Sequence, residues 1–401
     1  MKVYEIGTGY TSIPAKMGAA TEIVVEELTR AMMKIGIDVT ILDIKDKNRP
    51  ETHLPIEEVY MPQLFSTGAV VKLGVIHKIK RVLYSISLAI KLRGIIKNSE
   101  EKLVLHFHNQ YNLFFFLKLI SKRLRKKVVI GYTVHSYIWY GEWEKIKMII
   151  SKRYFQEVYS CQCADKVFVL NDIARKMLVD HYNVDSSRIC TVINGVNIDV
   201  YNEKNVSDDD LTALRDRYGL KGKKIIFQVG SVCDRKNQLG TLELMLPLLK
   251  RDSSLVFSYA GGIIDQEYAD KISEKAKVEG VADRVIYFGE VSPGRQLNLL
   301  YSLSDVCIMN SKSESFALVI AEALSIPRPI FINKSILESL TYWGENIGKG
   351  IMVIDEDFEK NIQMVFDDKN FLYEIKKKGR HFVESEYSWD KVAKQYIQYL
   401  A

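Results

Sequence analysis

The amino-acid sequence predicts an α/β protein of alternating strands and helices, and three stretches carry that expectation. The chain opens with an apolar run at residues 3–6, a glycine-bearing loop, and a helix-periodic segment at 21–35 with Ile23, Val24, Leu28, Ala31 and Met32 on one face. The same order recurs at 224–239, where a buried run ends in Gly230 and a helix follows a short basic loop. It recurs again at 305–327, where Pro327 stops the last helix. Strand, loop and helix in repetition is the pattern of open parallel sheets covered by helices.

A length of 401 residues leads us to expect two or three domains, and 47% apolar residues suffice to pack their cores. Five cysteines, odd in number and mostly in apolar runs, point to a reducing cytoplasm. Cys161 and Cys163 have no second pair at zinc-site spacing, so no metal site is expected. Residues 1–6 begin a strand directly, without a signal-peptide pattern, and no run reaches the roughly 18 apolar residues of a membrane span. The net charge of +6 is uneven. Residues 51–150 hold 16 Lys/Arg against 7 Asp/Glu, or +9, whereas residues 201–401 hold 27 against 30, or −3.

Taken in order, the first helix ends at Gly36 and a strand follows at 38–42. Residues 69–97 read as one or two apolar helices studded with Lys72, Lys78, Lys80, Arg81, Lys91, Arg93 and Lys97. A second basic cluster, Lys118, Lys122, Arg123, Arg125, Lys126 and Lys127, lies beside Phe114, Phe115 and Phe116. These stretches read either as solvated faces of sheet-covering helices or as a surface for an anionic membrane through residues 69–127. No recognition motif points to nucleic acid as a partner. Strands at 103–108 and 128–135 end in His108 and His135, at the strand ends where open α/β sheets bind ligands. A helix at 145–160 and a strand at 164–171 follow; Asn194-Gly195 marks a turn, and polar residues 202–216 read as a linker into the second domain. A final helix is expected at 391–400.

Residues 313–329 organise the chain. Glu314 and Glu322 are eight positions apart, the first in the loop before a helix, the second near its far end. A helix N-terminus holds phosphate through its free N–H groups and dipole. Carboxylates on either side of a bound diphosphate could hold hydroxyls, which is the chemistry of a nucleotide sugar.

The stretch resembles the E-x7-E signature of the retaining glycosyltransferases called family 4. It matches at Glu314, Phe316, Leu318, Glu322, Ala323 and Pro329, and departs at Ala317, where the family has glycine. Pro14, Gly18 and Glu22 resemble the family's opening loop, with Ala19 replacing its second glycine. Thr133-Val134-His135 resembles its Thr-x-His step, and Asn194-Gly195-Val196-Asn197 its Asn-Gly-Val-Asp. In the phosphate loop Lys236 matches, whereas Ser231 stands where the family has arginine and Arg235 offers a shifted charge.

The resemblance implies the GT-B fold: two Rossmann-like doubly wound domains facing a central cleft, with a C-terminal helix crossing back to the first. The first would span 1–202 plus 388–401 and face the acceptor; the second, 203–387, would bind the donor. The implied reaction moves a sugar from a nucleotide sugar to a glycan or lipid-linked acceptor, such as a polysaccharide precursor, with no metal and no other cofactor. Catalytic roles would fall to His135, Glu314 and Lys236. Donor binding would fall to Gly18, Arg235, Lys236, Glu314, Phe316, Ala317, Leu318, Val319 and Glu322. The implied setting is cytoplasmic, peripheral on the inner face of the membrane. Two rivals stay open: an epimerase-type enzyme of the same fold, and a non-catalytic sugar-nucleotide binder, which Ser231, Ala317 and Ala19 make conceivable.

Overall fold

The computed structural model describes residues 1–14, 20–62, 75–136, 138–139, 143–314 and 316–401. Gly18, Ala19 and Lys72 lie outside them. The chain forms two compact units, Met1–Gly195 with Trp389–Ala401, and Val196–Ser388.

The first unit is built on seven strands: β1 Lys2–Ile6, β2 Asp38–Ile44, β3 Ile56–Val59, β4 Leu103–Phe107, β5 Val128–Val134, β6 Lys166–Val169 and β7 Ile189–Thr191. Their order is β3-β2-β1-β4-β5-β6-β7, parallel throughout. Helices on both faces bury the central strands, and β4 is buried along its whole length. The order reverses between β1 and β4, the place where open parallel sheets of this kind bind ligands. The helix Trp389–Leu400 belongs to this unit and packs Val392, Ala393, Tyr396 and Leu400 into the core beside Val3, Val104 and Phe168. Gly131 in β5 makes room for it, because a Cβ there would come within 2.8 Å of Leu400.

The second unit repeats the design with β8 Lys224–Val229, β9 Leu255–Ala260, β10 Val285–Tyr287, β11 Val306–Met309, β12 Ile330–Asn333 and β13 Ile351–Ile354. The order is β10-β9-β8-β11-β12-β13, again parallel, with its reversal between β8 and β11.

Three stretches differ from the sequence reading. The polar residues taken for a linker form the helix Asp208–Arg217, capped by Ser207 and carrying three aspartates in its first turn. That helix buries none of its residues, so it shows no apolar period; its cap and dipole-matched charges are its only signals. The helix expected at 145–160 runs from Trp143 to Cys163 and contains a π-helical turn, Ile150–Tyr154.

The basic stretch forms the helices Val75–Asn98, Gln110–Leu119 and Lys122–Arg125, and several of its charges serve the protein itself. Lys80 is buried and donates to the Tyr10 carbonyl; Arg81 stacks on Tyr10 and Tyr111; Lys91 pairs with Glu57. Phe116 is in the core, and Phe114 packs edge-on against Phe155 and Tyr159. Lys78, Arg93, Lys97, Lys118, Lys122, Arg123, Lys126 and Lys127 remain exposed, with Ile79, Ile90 and Leu119 exposed among them. All five cysteines are free thiols. Among the described residues no helix is long and apolar enough to cross a membrane.

Candidate active site

In the second unit the site grows from the two loops at the reversal. Gly230 follows β8, and Gly261 follows β9 at φ 146°, where a Cβ would meet the Gly230 carbonyl oxygen at 2.2 Å. Only glycine allows that approach. The loop after β8 tightens into the turn Asp234–Lys236, and Asn237 adopts a left-handed conformation before the helix Gln238–Arg251. Gln228 Nε2 donates to the Lys236 carbonyl at 2.7 Å, and Gln238 Nε2 to the Ser231 carbonyl at 3.0 Å.

The loop after β11 is laced to this one. The Lys312 N–H donates to the Arg235 carbonyl at 2.8 Å, Arg235 Nη1 to the Ser313 carbonyl at 3.0 Å, and Asn237 Nδ2 to the Asn310 carbonyl at 3.0 Å. Two sequence-predicted residues therefore meet: Lys236 Nζ donates to Glu314 Oε1 at 2.5 Å, with Arg235 3.4 Å from Glu314 Oε2. Glu314 is 8% exposed and the Arg235 side chain 45%. Two cations thus converge on one carboxylate at the reversal of the sheet, in contact with solvent through Arg235.

The helix Leu318–Ser325 begins beside them. Ala317, in the left-handed region at φ 64°, turns the chain into it, and the first-turn N–H groups of Leu318 and Val319 lack intrahelical acceptors. Phe316 anchors this turn rather than lining a site. Its ring is buried against Tyr342 and Trp343, and its carbonyl accepts from Trp343 Nε1 at 2.8 Å and from the Tyr342 hydroxyl at 3.2 Å. Glu322 accepts from the Tyr301 hydroxyl at 2.8 Å. Burial pushes its carboxyl up, while Tyr301, Tyr201 and Lys236 draw it back.

The first unit carries a second cluster at its own reversal. β1 and β4 pair Glu5 with His106, and His108 follows β4 directly. The Glu5 carboxylate is bonded by His106 Nδ1 at 2.9 Å and by His108 Nε2 at 2.7 Å. His108 Nδ1 lies 3.0 Å from His135 Nε2, and His106 Nε2 lies 2.8 Å from Thr133 Oγ1. Glu5 and His106 are fully buried and His108 nearly so; His135, just past β5, is half-buried. Burial alone would raise the Glu5 carboxyl, but the charge and hydrogen bonds of His106 and His108 bring it down to about 2. Burial and the neighbouring His106 push His108 down to about 4. Burial, with His108 and His106 beside it, holds His135 well below the usual imidazole range.

Glu5, His106 and His108 could also offer three metal ligands, since their ligating atoms lie within 4.8 Å of one another. The hydrogen bonds among them already satisfy those atoms. Glu5 was not legible in the sequence, where it is one polar residue in an apolar strand a hundred positions from its partners. The loop after β1 is pinned by Asn112, which donates to the Gly7 and Thr8 carbonyls, and by a bond from Thr8 to buried Glu22.

The fold matches that of Anabaena HepE, solved in complex with UDP and glucose, with a TM-score of 0.69 over 99% of this chain and 98% of that one at 13% identity. Two parallel doubly wound units of this kind make a GT-B protein. The family model described as Glycosyltransferase Family 4 matches residues 21–200, and the one described as Glycosyl transferases group 1 matches residues 211–382. The chain belongs to the family 4 glycosyltransferases. It is 23% identical over 258 residues to an uncharacterized glycosyltransferase of Methanocaldococcus jannaschii, covering 63% of this chain and 62% of that protein. It is 29% identical over 170 residues to the D-inositol 3-phosphate glycosyltransferase of Mycolicibacterium smegmatis, covering 42% of this chain and 37% of that protein. The matches thus span less than two thirds of either relative's length.

Proposed function

We propose that this protein is a retaining glycosyltransferase that takes a sugar from a nucleotide diphosphate donor without a metal ion and passes it to a glycan or lipid-linked acceptor. The observation that carries the reading is the convergence of Lys236 and Arg235 on Glu314 at the β8–β11 reversal, beside the start of the helix Leu318–Ser325. Two cations and free helix N–H groups supply the charge that a departing diphosphate needs. Glu322 would accept from ribose hydroxyls, Glu314 would orient hydroxyls of the sugar, and His135 would meet the sugar as the family resemblance implies. The C1–O bond to the diphosphate breaks with its electron pair leaving on oxygen. The acceptor hydroxyl attacks the same face, and its proton passes to that phosphate oxygen. A solved neighbour holding UDP and glucose supports the donor class.

The eight exposed basic residues around helices Val75–Asn98 and Lys122–Arg125 support peripheral binding to an anionic membrane, each worth on the order of 1 kcal/mol near the surface. Nucleoside diphosphate release from a panel of nucleotide sugars, with and without acceptor and in excess chelator, tests the reaction. Acceptor-dependent release that survives the chelator is expected; its absence with every donor refutes the reading. Flotation with anionic and neutral liposomes tests the membrane, and equal recovery with both removes it.

A further inference from the structure

We propose that Glu5, acting through His108, holds His135 as the Nε2–H tautomer, so that His135 turns a lone pair at Nδ1, rather than a proton, toward its ligand. The inference rests on the reading of His135 as the residue that meets the transferred sugar. Its chemistry comes from the first unit alone.

A carboxylate only accepts hydrogen bonds. Glu5 Oε2, 2.7 Å from His108 Nε2, therefore fixes a proton on that nitrogen, as Glu5 Oε1 does on His106 Nδ1. With one proton on the ring, His108 keeps a lone pair at Nδ1, and among the described residues the group bonded to it is His135 Nε2 at 3.0 Å, which must donate. His135 Nδ1 is then the acceptor end of the ring, and no described residue bonds it. The chain would reverse if His108 carried a second proton. Its burial and the His106 ring, with centroids 4.2 Å apart, oppose a second positive charge there. Thr133, between His106 and the Tyr396 hydroxyl at 3.3 Å, closes the other end of the network.

A bare ring nitrogen recognises a hydrogen-bond donor. It suits a sugar hydroxyl and opposes a carboxylate, whose lone pairs would face its own. Glu5 is thus a positioning residue, and the specificity it sets is for neutral sugars over hexuronates at this position.

Nitrogen-15 NMR of the full chain with labelled histidine reads which ring nitrogen holds the proton, with His135 assigned by the signals lost in His135→Gln. In the wild type a protonated Nε2 and a bare Nδ1 are expected across pH 6–8. Glu5→Gln can donate to His108 Nε2 and so reverse the chain; it should move a large share of His135 to the Nδ1–H form and lower kcat/KM at least tenfold for a neutral hexose donor. If Glu5→Gln does not fold, His108→Leu removes the acceptor, and His135 should lose its single tautomer. A wild-type His135 protonated at Nδ1, a folded Glu5→Gln with an unchanged ring, or stoichiometric zinc on Glu5, His106 and His108 overturns the proposal. A preference for the uronate of a matched donor pair overturns its specificity. The spectra need no substrate, so failure of transfer with every donor would remove the functional reading while the tautomer result stands.

Discussion

The two sheets reverse at the same topological place and end there in opposite electrostatic states. In the first unit Glu5, His106 and His108 satisfy one another out of water. In the second, Lys236 and Arg235 meet Glu314 with the Arg235 side chain nearly half exposed. A buried network of that kind holds one arrangement, because every partner lost leaves a buried charge unpaired. The Arg235–Glu314 pair, exposed on its arginine side, is worth little by itself, and an entering anion can replace the carboxylate there. The comparison assigns orientation to the first cluster and ligand exchange to the second.

Replacing Lys236 with alanine breaks the exchangeable side and should have the largest effect. A charge-assisted hydrogen bond to phosphate is lost, about 1.5–3 kcal/mol, so donor affinity should fall roughly 10- to 150-fold by calorimetry with the circular dichroism spectrum unchanged. Unaltered affinity would end the assignment of this loop to the diphosphate.

The rigid side is sharpened by Glu157. This carboxyl accepts from Ser136 Oγ at 2.6 Å, next to His135, and burial raises it to about 7. Between about pH 4.5 and 7 the folded chain then holds a proton that the unfolded chain has released, so its contribution is present at low pH and lost as pH rises through 7. Glu157→Gln cannot ionise, so its urea stability relative to wild type should grow by roughly 2–3 kcal/mol from pH 4.5 to pH 8. A constant difference across that range would show that Glu157 titrates normally.

Glu314→Gln separates the two roles of the exchangeable pair. Without the internal anion, nucleoside diphosphate should bind several-fold more tightly while sugar transfer falls. Weaker diphosphate binding would mean that Glu314 does not compete with phosphate.

The smallest effect is expected at Ala317, held at φ 64° at the start of the helix beside that pair. Glycine relieves the left-handed strain, roughly 1–2 kcal/mol, and costs part of it back in unfolded-chain entropy. Ala317→Gly should raise the unfolding free energy by a net of about 0.5–1 kcal/mol, seen as a higher urea midpoint. A lower midpoint would mean that the alanine is not strained there.

What could be read in advance followed the same divide. Glu314, Glu322 and Lys236 stand in short loops or at a helix bounded by Pro327, where local spacing and the family resemblance both mark them. The Glu5 network is assembled by strand pairing between residues about a hundred positions apart, and no local pattern records that register. Phe316 was visible as a motif residue, yet its role as an anchor depends on Trp343 and Tyr342, which only packing brings to it. The short edge strand β3, with Glu57 and Glu58 among its four residues, offered too little apolar period to be seen.

The helix Trp389–Leu400 completes the first unit although the whole second unit precedes it in the chain. On the ribosome the first unit must therefore wait for its last side chains, among them Tyr396 against His106 and Phe168. At roughly 5–20 residues per second, residues 196–388 take about 10–40 s to synthesise. During that interval the second unit can fold complete while the first has an open face, an order opposite to that of the chain. Proteolysis of stalled nascent chains ending before Trp389 should find the second unit protected and the first cleaved; equal protection of both would show that the last helix is dispensable for closure.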